Sequence, residues 1–347
     1  MLTTFANINS LIDHAVAERA SDIHISSNQP ASVRINGDLK FFEKANFSAK
    51  VIENWLDTHL DEAQFEEFDL EGDVDFAFSV NDEVRCRVSA FKTQGDVNLA
   101  MRILSSHIPN FRDLGIPKVM QDWSERQTGL IIVTGPTGSG KSTTLASMVN
   151  SANQHRSLHI VTIEDPIEFI FPKGLSTLHQ REIGLDTKDF PRAVRAALRE
   201  DIDILMLGEM RDSETISAAL TVAETGHLVF ATLHTPSAAQ AIDRIIDGFD
   251  VDEQPLVRSR LASCLVGVAY QRLLKSKTGG RLAAYEILVA NYGVKNLIRE
   301  GKTHQIPNVM TTSMNEGMQT MQHSIKELVK AGKITEEQGK EFLSLNI

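Results

Sequence analysis

The chain has 347 residues, of which 42% are hydrophobic, and these values are typical of a globular protein with two or three domains. Its formal net charge of −11 argues against a nucleic-acid groove, which must neutralise many phosphates, and its two distant cysteines cannot form a zinc module. Because no segment approaches the roughly 20 apolar residues of a membrane-spanning helix, we expect a soluble, cytoplasmic protein without nucleic acid or zinc.

The first part of the chain mixes helical and strand patterns, and we predict an α+β domain over residues 1–112. The helix-spaced segment INSLIDHAVAERA precedes the alternating run SDIHIS, and an Asn-Gly pair at Asn36-Gly37 indicates a hairpin turn. The segment KVIENWLDTHLDEAQFEEF returns to helical spacing and is followed by three strand-like runs, VDFAFSV, VRCRVSAFK and VNLAMRIL. Next, SSHIPNFRDLGIPKV carries two prolines and a glycine, and we predict an interdomain linker at residues 113–128.

The rest of the chain, residues 129–347, has the pattern of an α/β domain. Short apolar runs, GLIIVTG, LHIVTIED, DILMLGE and HLVFATLHT, alternate with helix-like stretches, which predicts a parallel sheet wound with helices. The last hundred or so residues are predicted to be mainly helical, including VKNLIREGK and MQHSIKELVKAGKITEEQGKEFL.

A phosphate-binding loop begins this second domain. The sequence GPTGSGKST fits the pattern G-x-x-x-x-G-K-[ST], with the strand LIIVT before it and the helix TTLASMVN after it. Its glycines let backbone N–H groups face the phosphates, and the helix N-terminus adds partial positive charge. We expect Lys141 to reach the outer phosphates and Ser142 to offer its hydroxyl to Mg²⁺. The predicted nucleotide-binding residues are Gly135, Pro136, Thr137, Gly138, Ser139, Gly140, Lys141, Ser142 and Thr143.

Acidic residues and histidines accompany three further strands. Glu164, Asp165 and Glu168 follow HIVTI, Gly208-Glu209 follows DILML, and His227 and His234 flank LVFATL. The carboxyl ends of parallel strands converge on the ligand crevice of such a sheet, so this placement beside a phosphate loop favours a catalytic site. A glycine, Gly208, stands where many P-loop enzymes have the aspartate that helps to hold Mg²⁺. The role of His227 stays open between nucleotide contact and the end of a helix.

Four motifs together resemble the secretion ATPase superfamily, which includes type II secretion and type IV pilus motors. They are GPTGSGKST, TIEDPIEF, DILMLGEMRD and TGHLVFATLHT, in that order. The resemblance implies a PAS-like N-terminal domain followed by a RecA-like P-loop ATPase domain with a helical C-terminal region. It also implies that Glu209 is the general base, that Glu164, Asp165 and Glu168 order the water and metal shell, and that His234 senses the γ-phosphate.

The same resemblance implies a homohexamer in which arginines of a neighbouring N-terminal domain complete the site. The candidates are Arg85, Arg87 and Arg102. Because Arg85 and Arg87 lie two apart on a predicted strand, they share one face of the sheet. The alternative is that these arginines only form a solvated face.

Within the superfamily, the chain resembles the shorter retraction subfamily of PilT and PilU motors, because it has neither the four zinc cysteines nor the extra N-terminal domain of assembly motors. VKNLIREGK resembles the C-terminal retraction motif, although Gly293-Val294-Lys295 stands where Ala-Ile-Arg is usual. We therefore expect a Mg²⁺-dependent ATPase that powers pilus retraction and twitching motility. It would act on an inner-membrane platform protein and associate peripherally with that membrane.

Three alternatives remain open. The chain could serve as an accessory retraction ATPase beside a paralogous motor, or as an assembly or type II secretion ATPase. It could also be a nucleotide-gated regulatory subunit with little turnover.

Overall fold

A computed structural model describes residues 5–18, 20–35, 37–81, 84–105 and 107–344. The chain divides into two units, Met1–His107 and Ile108–Ile347. The sequence pattern instead placed the boundary after residue 112 and a linker at 113–128.

The N-terminal unit is a six-stranded antiparallel sheet with helices, in the strand order β3-β2-β1-β6-β5-β4. Its elements are α1 (Ile8–Ala17), β1 (Asp22–Ser26), β2 (Pro30–Ile35), β3 (Asp38–Asn46), α2 (Ala49–Asp57), α3 (Glu62–Glu71), β4 (Asp73–Asn81), β5 (Val84–Thr93) and β6 (Asp96–Ser105). The predicted α+β domain is confirmed. Ile35 pairs with Asp38 across the predicted hairpin turn, whose Asn36 lies outside the described residues.

One long helical pattern in this unit is in fact two helices. Asp61 begins α3, because its carboxylate accepts the backbone N–H of Gln64 at 2.9 Å while the Gln64 side chain accepts the Asp61 N–H at 3.1 Å. Such a reciprocal cap satisfies N–H groups that a continuous helix would bond to its previous turn. The spacing of apolar residues alone does not show this break.

The segment predicted as a linker is largely helical and belongs to the C-terminal unit. It contains α5 (Lys118–Ser124) and the end of α4 (Phe111–Leu114). Met120 and Trp123 are buried in a hydrophobic cluster with β7 (Gly129–Thr134) and the helix that follows it. The two prolines and the glycine therefore separate short packed helices rather than mark a free connection.

The C-terminal unit is a seven-stranded sheet in the order β13-β12-β7-β11-β10-β8-β9. Only the β12–β13 pair is antiparallel among the named strands of this sheet. Its elements after β7 are α6 (Lys141–His155), β8 (His159–Glu164), β9 (Thr177–Glu182), α7 (Phe190–Ala197), β10 (Ile204–Leu207), α8 (Ser213–Glu224), β11 (Leu228–Leu233), α9 (Ala238–Asp247), α10 (Gln254–Cys264), β12 (Leu265–Lys275), β13 (Arg281–Val289), α11 (Tyr292–Arg299), α12 (Ile306–Thr312), α13 (Met321–Lys330) and α14 (Glu336–Ser344).

The predicted parallel sheet wound with helices is confirmed, with β7, β8, β10 and β11 at its centre. These strands are buried along almost their whole length, as expected for a sheet covered on both faces. The sequence did not predict β9 or the β12–β13 hairpin, and the hairpin lies within the part predicted as mainly helical. Across the described residues, no helix has the length and apolar character needed to cross a membrane.

Candidate nucleotide-binding site

Four central strands end at one edge of the sheet. Thr134 pairs with Leu233, and Leu207 pairs with both Ala231 and Ile163. The phosphate loop and the segments that carry Glu164, Glu209 and His234 all follow these strand ends. Parallel register thus brings together four motifs that are separated in sequence.

The loop after β7 has the backbone of a phosphate-binding turn. Gly138 and Gly140 have φ angles of 75° and 85°, in a left-handed region where glycine avoids the strain that a side chain would cause. Helix α6 begins directly at Lys141. Ser142 and Thr143, in its first turn, are both partly exposed, so unpaired N–H groups and hydroxyls lie at one helix N-terminus.

Lys141 is held inside this loop. Its Nζ donates to the carbonyl oxygens of Gly135 at 3.0 Å and Pro136 at 3.1 Å. Burial lowers the pKa of Lys141, while the negative charges of Glu209 and Glu168 act in the opposite direction. The predicted phosphate-binding lysine therefore lies among acceptors that an anionic ligand could replace.

Glu164 is a buried carboxylate at the end of β8. The hydroxyl of Thr162 donates to its Oε1 at 2.6 Å, and Gln180 Nε2 donates to the same atom at 3.3 Å. Burial raises the pKa of Glu164 to about 7, despite these bonds. Asp165 and Glu168 are exposed by contrast. The three predicted carboxylates thus differ in environment, and only Glu164 is part of the core.

Gly208 lets the end of β10 approach β8 closely. Its N–H donates to the Ile163 carbonyl at 2.8 Å, and a methyl group on Gly208 would lie 3.3 Å from the Glu164 Cα. The Thr232 hydroxyl donates to the Gly208 carbonyl from the other side. A glycine at this position therefore fixes where the next residue, Glu209, leaves the sheet.

The Glu209 carboxylate lies between the guanidinium of Arg211 and the imidazole of His234. Arg211 Nη2 is 2.9 Å from Glu209 Oε2, and His234 Nε2 is 3.7 Å from Oε1. Burial, and then the charge of Lys141, lower the pKa of His234, which favours the neutral imidazole near neutral pH. The structure thus brings the side chains of Glu209, His234 and Lys141 into one polar cluster.

His227 lies at the other end of the sheet. It precedes β11, and its carbonyl accepts the N–H of Gly129 at the start of β7. Its Nδ1 is 3.0 Å from the Val222 carbonyl at the end of α8. Because β11 has six residues, the strand separates His227 from the phosphate loop by roughly 20 Å. Within this chain, His227 ends a helix and is not part of the cluster.

The three arginines proposed from the N-terminal domain lie on one sheet face. Arg85 and Arg87 alternate with the buried Cys86 and Val88 along β5. Arg87 is directly opposite Arg102 on β6. Arg87 pairs with Asp75 at 3.1 Å and Arg102 with Asp22 at 3.0 Å; these partners leave both guanidinium groups partly exposed.

Several residues of the site have no signal in the sequence pattern. Gln271 of β12 bonds to the phosphate loop, donating through Nε2 to the Ser139 carbonyl at 2.7 Å. The hydroxyls of Thr134 and Thr235 are 2.8 Å apart and join the phosphate-loop strand to the segment after His234. These contacts depend on strand order, which local patterns do not reveal. Arg211 is inside a quoted motif, but its pairing with Glu209 was not predicted.

The donor groups fit Mg²⁺. The Ser142 hydroxyl and the carboxylates of Asp165, Glu168 and Glu209 are oxygen ligands, which this cation prefers. Across the part of the chain that the structure describes, no group of three or more His, Cys, Asp or Glu residues could hold a metal by itself.

Comparison with known proteins adds an independent finding. The chain is 46% identical over 328 residues to the uncharacterised protein YggR of Escherichia coli, covering 94% of this chain and 100% of YggR. It is 42% identical over 335 residues to the type IV pilus retraction ATPase PilT of Pseudomonas aeruginosa, covering 96% of this chain and 97% of PilT. A crystal structure of the pilus retraction motor PilT with bound ADP superposes with a TM-score of 0.90, at 44% identity and 97% coverage of each chain. The type II/IV secretion system protein family matches residues 3–340, and the chain belongs to this family.

Proposed function

We propose that the chain is a motor ATPase that hydrolyses ATP to ADP and phosphate and so powers the retraction of type IV pili. The observation that carries this proposal is the position of Glu209, beside Lys141 and at the same sheet edge as the phosphate loop. The similarity to PilT over nearly the whole chain supports the same function.

ATP binding begins at the phosphate loop. The N–H groups at the start of α6 and the Lys141 ammonium bind the β- and γ-phosphates, so Lys141 exchanges the Gly135 and Pro136 carbonyls for phosphate oxygens. Ser142 would hold Mg²⁺ through its hydroxyl, and the bound cation would neutralise charge on the transferred phosphoryl group. Thr143 extends the same helix turn.

Hydrolysis requires a base that orients water in line with the γ-phosphate. Glu209 has this role, because it is partly exposed and its Oε1 is turned toward His234 rather than toward Arg211. A neutral His234 contacts the γ-phosphate as a hydrogen-bond donor. Asp165 and Glu168 would order water at the metal site, and Glu164 would support them from the core.

The site is completed by a second subunit. Phosphoryl transfer depends on positioning and charge stabilisation more than on covalent chemistry. One or more of Arg85, Arg87 and Arg102 supply positive charge to the site of a neighbouring subunit in a homohexamer. Nucleotide turnover then shifts each ATPase domain against the neighbouring N-terminal domain.

The ring acts in the cytoplasm, at the base of the pilus. It associates peripherally with the inner membrane through a platform protein. A paralogous retraction ATPase is a further partner where the chain has an accessory role. In α11, Lys295 stands where the retraction motif usually has an arginine, and its Nζ donates to the Ser263 carbonyl at 3.2 Å.

Purified protein and living cells test the proposal together. With Mg²⁺, the wild type should hydrolyse ATP, Lys141→Gln should lose nucleotide binding, and Glu209→Gln should retain binding while losing turnover. Cells that carry only the Glu209→Gln form should make abundant pili that never retract. Full ATPase activity of Glu209→Gln would contradict its role as base. Normal retraction in the absence of the chain would leave an accessory or secretion role.

A further inference from the structure

A buried side-chain amide joins the phosphate loop to the neighbouring strand. Gln271 of β12 has only 2% of its surface exposed. Its Nε2 donates to the Ser139 carbonyl at 2.7 Å, and its Oε1 accepts the Thr144 hydroxyl at 2.8 Å. One amide thus bonds on one side to the loop and on the other to the first turns of α6.

The register of the sheet places Gln271 directly beside the loop. On β12, Tyr270 pairs in parallel with Thr134, the last residue of β7, so Gln271 adjoins Gly135, where the loop begins. A side chain at Gly135 would collide with the Gln271 carbonyl oxygen, and a methyl group at Gly140 would lie 2.9 Å from Gln271 Nε2. Gln271 therefore occupies the space that a side chain would need at Gly135, the first glycine of the loop, and at Gly140, the last.

The Ser139 carbonyl needs this partner. A buried carbonyl without a donor loses the free energy of a hydrogen bond that water would otherwise provide. Without Gln271, the peptide after Ser139 would turn toward solvent and carry the N–H of Gly140 away from its phosphate-binding direction. A loop that is already curled avoids this ordering cost when a ligand binds.

We propose that Gln271 is a positioning residue that keeps the phosphate loop in its binding shape before nucleotide arrives. The inference rests on the proposed nucleotide-binding function and assigns to Gln271 no contact with the nucleotide. It makes the β12–β13 hairpin part of the catalytic unit, because the hairpin carries the amide that holds the loop.

Two matched variants test this role. Gln271→Met keeps the length of the side chain but removes the donor to Ser139 and the acceptor for Thr144. The control is Asn153→Leu, because Asn153 has 1% of its surface exposed and its Nδ2 donates to the Pro172 carbonyl at 2.8 Å, in the same unit but at the far end of α6. Each variant loses two side-chain hydrogen bonds, one of which runs from a buried amide to a backbone carbonyl, so both should lower the thermal unfolding temperature.

Only Gln271→Met should alter the loop. Its Kd for ADP and its KM for ATP should each rise about tenfold, the equivalent of one lost hydrogen bond, with kcat nearly unchanged. Amide hydrogen exchange over residues 135–142 of the nucleotide-free protein should accelerate in this variant and not in Asn153→Leu. If the Met variant does not fold, the same measurements are made on Gln271→Asn, which retains the amide on a shorter side chain.

The outcomes separate this inference from the function on which it rests. A wild-type chain that binds neither ADP nor ATP overturns both. A wild type that binds nucleotide, together with unchanged affinity in the Gln271 variants, overturns only the role of Gln271. Equal rises in Kd for the Gln271 and Asn153 variants would also overturn it, because they would reflect a general loss of stability.

Discussion

The guanidinium of Arg211 lies 2.9 Å from one oxygen of Glu209, and His234 faces the other oxygen at 3.7 Å. Arg211 follows Glu209 by two residues and binds its Oε2, which leaves Oε1 on the side of His234. The ion pair therefore fixes the direction of the Glu209 carboxylate, even though 67% of the Arg211 side chain is exposed.

Loss of the ion pair between Arg211 and Glu209 should slow the chemical step. We expect Arg211→Ala to lower kcat about tenfold with little change in the Kd for ADP, because a hydrogen bond to a charged group is lost beside the base and not beside the phosphates. Arg211→Lys should restore part of kcat, since it keeps the charge but loses the planar fork. Steady-state ATPase kinetics and calorimetry would measure both constants, and an unchanged kcat in Arg211→Ala would contradict the role.

Glu164 should make stability depend on pH. Its pKa is about 7 in the folded chain, against 4.5 for an ordinary glutamate, so between these values the folded state binds more protons than the unfolded state. The free energy of unfolding should consequently fall as pH rises from about 4.5 to about 7, by at most about 3 kcal/mol.

Glu164→Gln removes this titration while retaining an acceptor for Thr162. The variant should lose less stability than the wild type over the same pH range and should be the more stable protein at pH 8. Urea unfolding at a series of pH values, with both proteins under identical salt, gives the difference directly. Parallel curves for the two proteins would show that Glu164 does not titrate in this range.

Gly208 should not tolerate even a methyl group. At 3.3 Å from the Glu164 Cα, an alanine side chain would push β10 away from β8 and displace Glu209. We expect Gly208→Ala to lower the free energy of unfolding by about 1–3 kcal/mol and to reduce kcat more than affinity.

A second glycine provides the stability control. A methyl group at Gly293, within α11, would meet nothing closer than 3.5 Å, so Gly293→Ala should stabilise the chain slightly, by about 0.4–1 kcal/mol. Urea midpoints and ATPase rates of the two variants test the contrast. Equal stability of the two alanine variants would mean that β10 and β8 are not closely constrained at Gly208.

The parts of the fold and site that local sequence patterns encode were predictable. The phosphate loop combines a strand, glycines at fixed positions and a helix start, and all of these lie within one short segment. The ends of β8, β10 and β11 were predictable because an apolar run gives way to charged residues. Because the carboxyl ends of parallel strands lie at one edge of the sheet, these charged residues come together in one site.

The rest depends on which strands become neighbours. Gln271 contacts the loop only because β12 pairs with β7, and neither the spacing nor the composition of β12 indicates that partner. β9 is a polar edge strand, so it lacks the apolar run by which the central strands were recognised. The sequence left the role of His227 open between nucleotide contact and the end of a helix. In the fold it precedes β11 instead of following it and lies at the end of a helix, at the far end of the strand from the phosphate loop.

Mixed rings would identify an arginine that acts on a neighbouring subunit. Arg87 is partly exposed and pairs with Asp75 at the surface of the N-terminal sheet, and a surface ion pair contributes little to stability. Arg87→Ala should therefore fold as stably as the wild type but lose most of its kcat if it completes a second subunit's site. Lys92→Ala is the matched control, because Lys92 lies on the same strand as Arg87 and forms a comparable surface pair with Asp69 of α3.

Coexpression of Arg87→Ala with Glu209→Gln distinguishes the two subunits' contributions. Each variant alone lacks one essential group in every site. In a mixed ring, an Arg87→Ala subunit keeps its own Glu209 and receives Arg87 from a Glu209→Gln neighbour, so activity should reappear. If rings purified through a different tag on each variant remain inactive, Arg87 acts in the site of its own chain. If Arg87→Ala alone is fully active, the same experiment is repeated with Arg85 and Arg102. Only a site formed by two subunits can regain turnover in this way, so recovered activity would also show that the chain works as an oligomer.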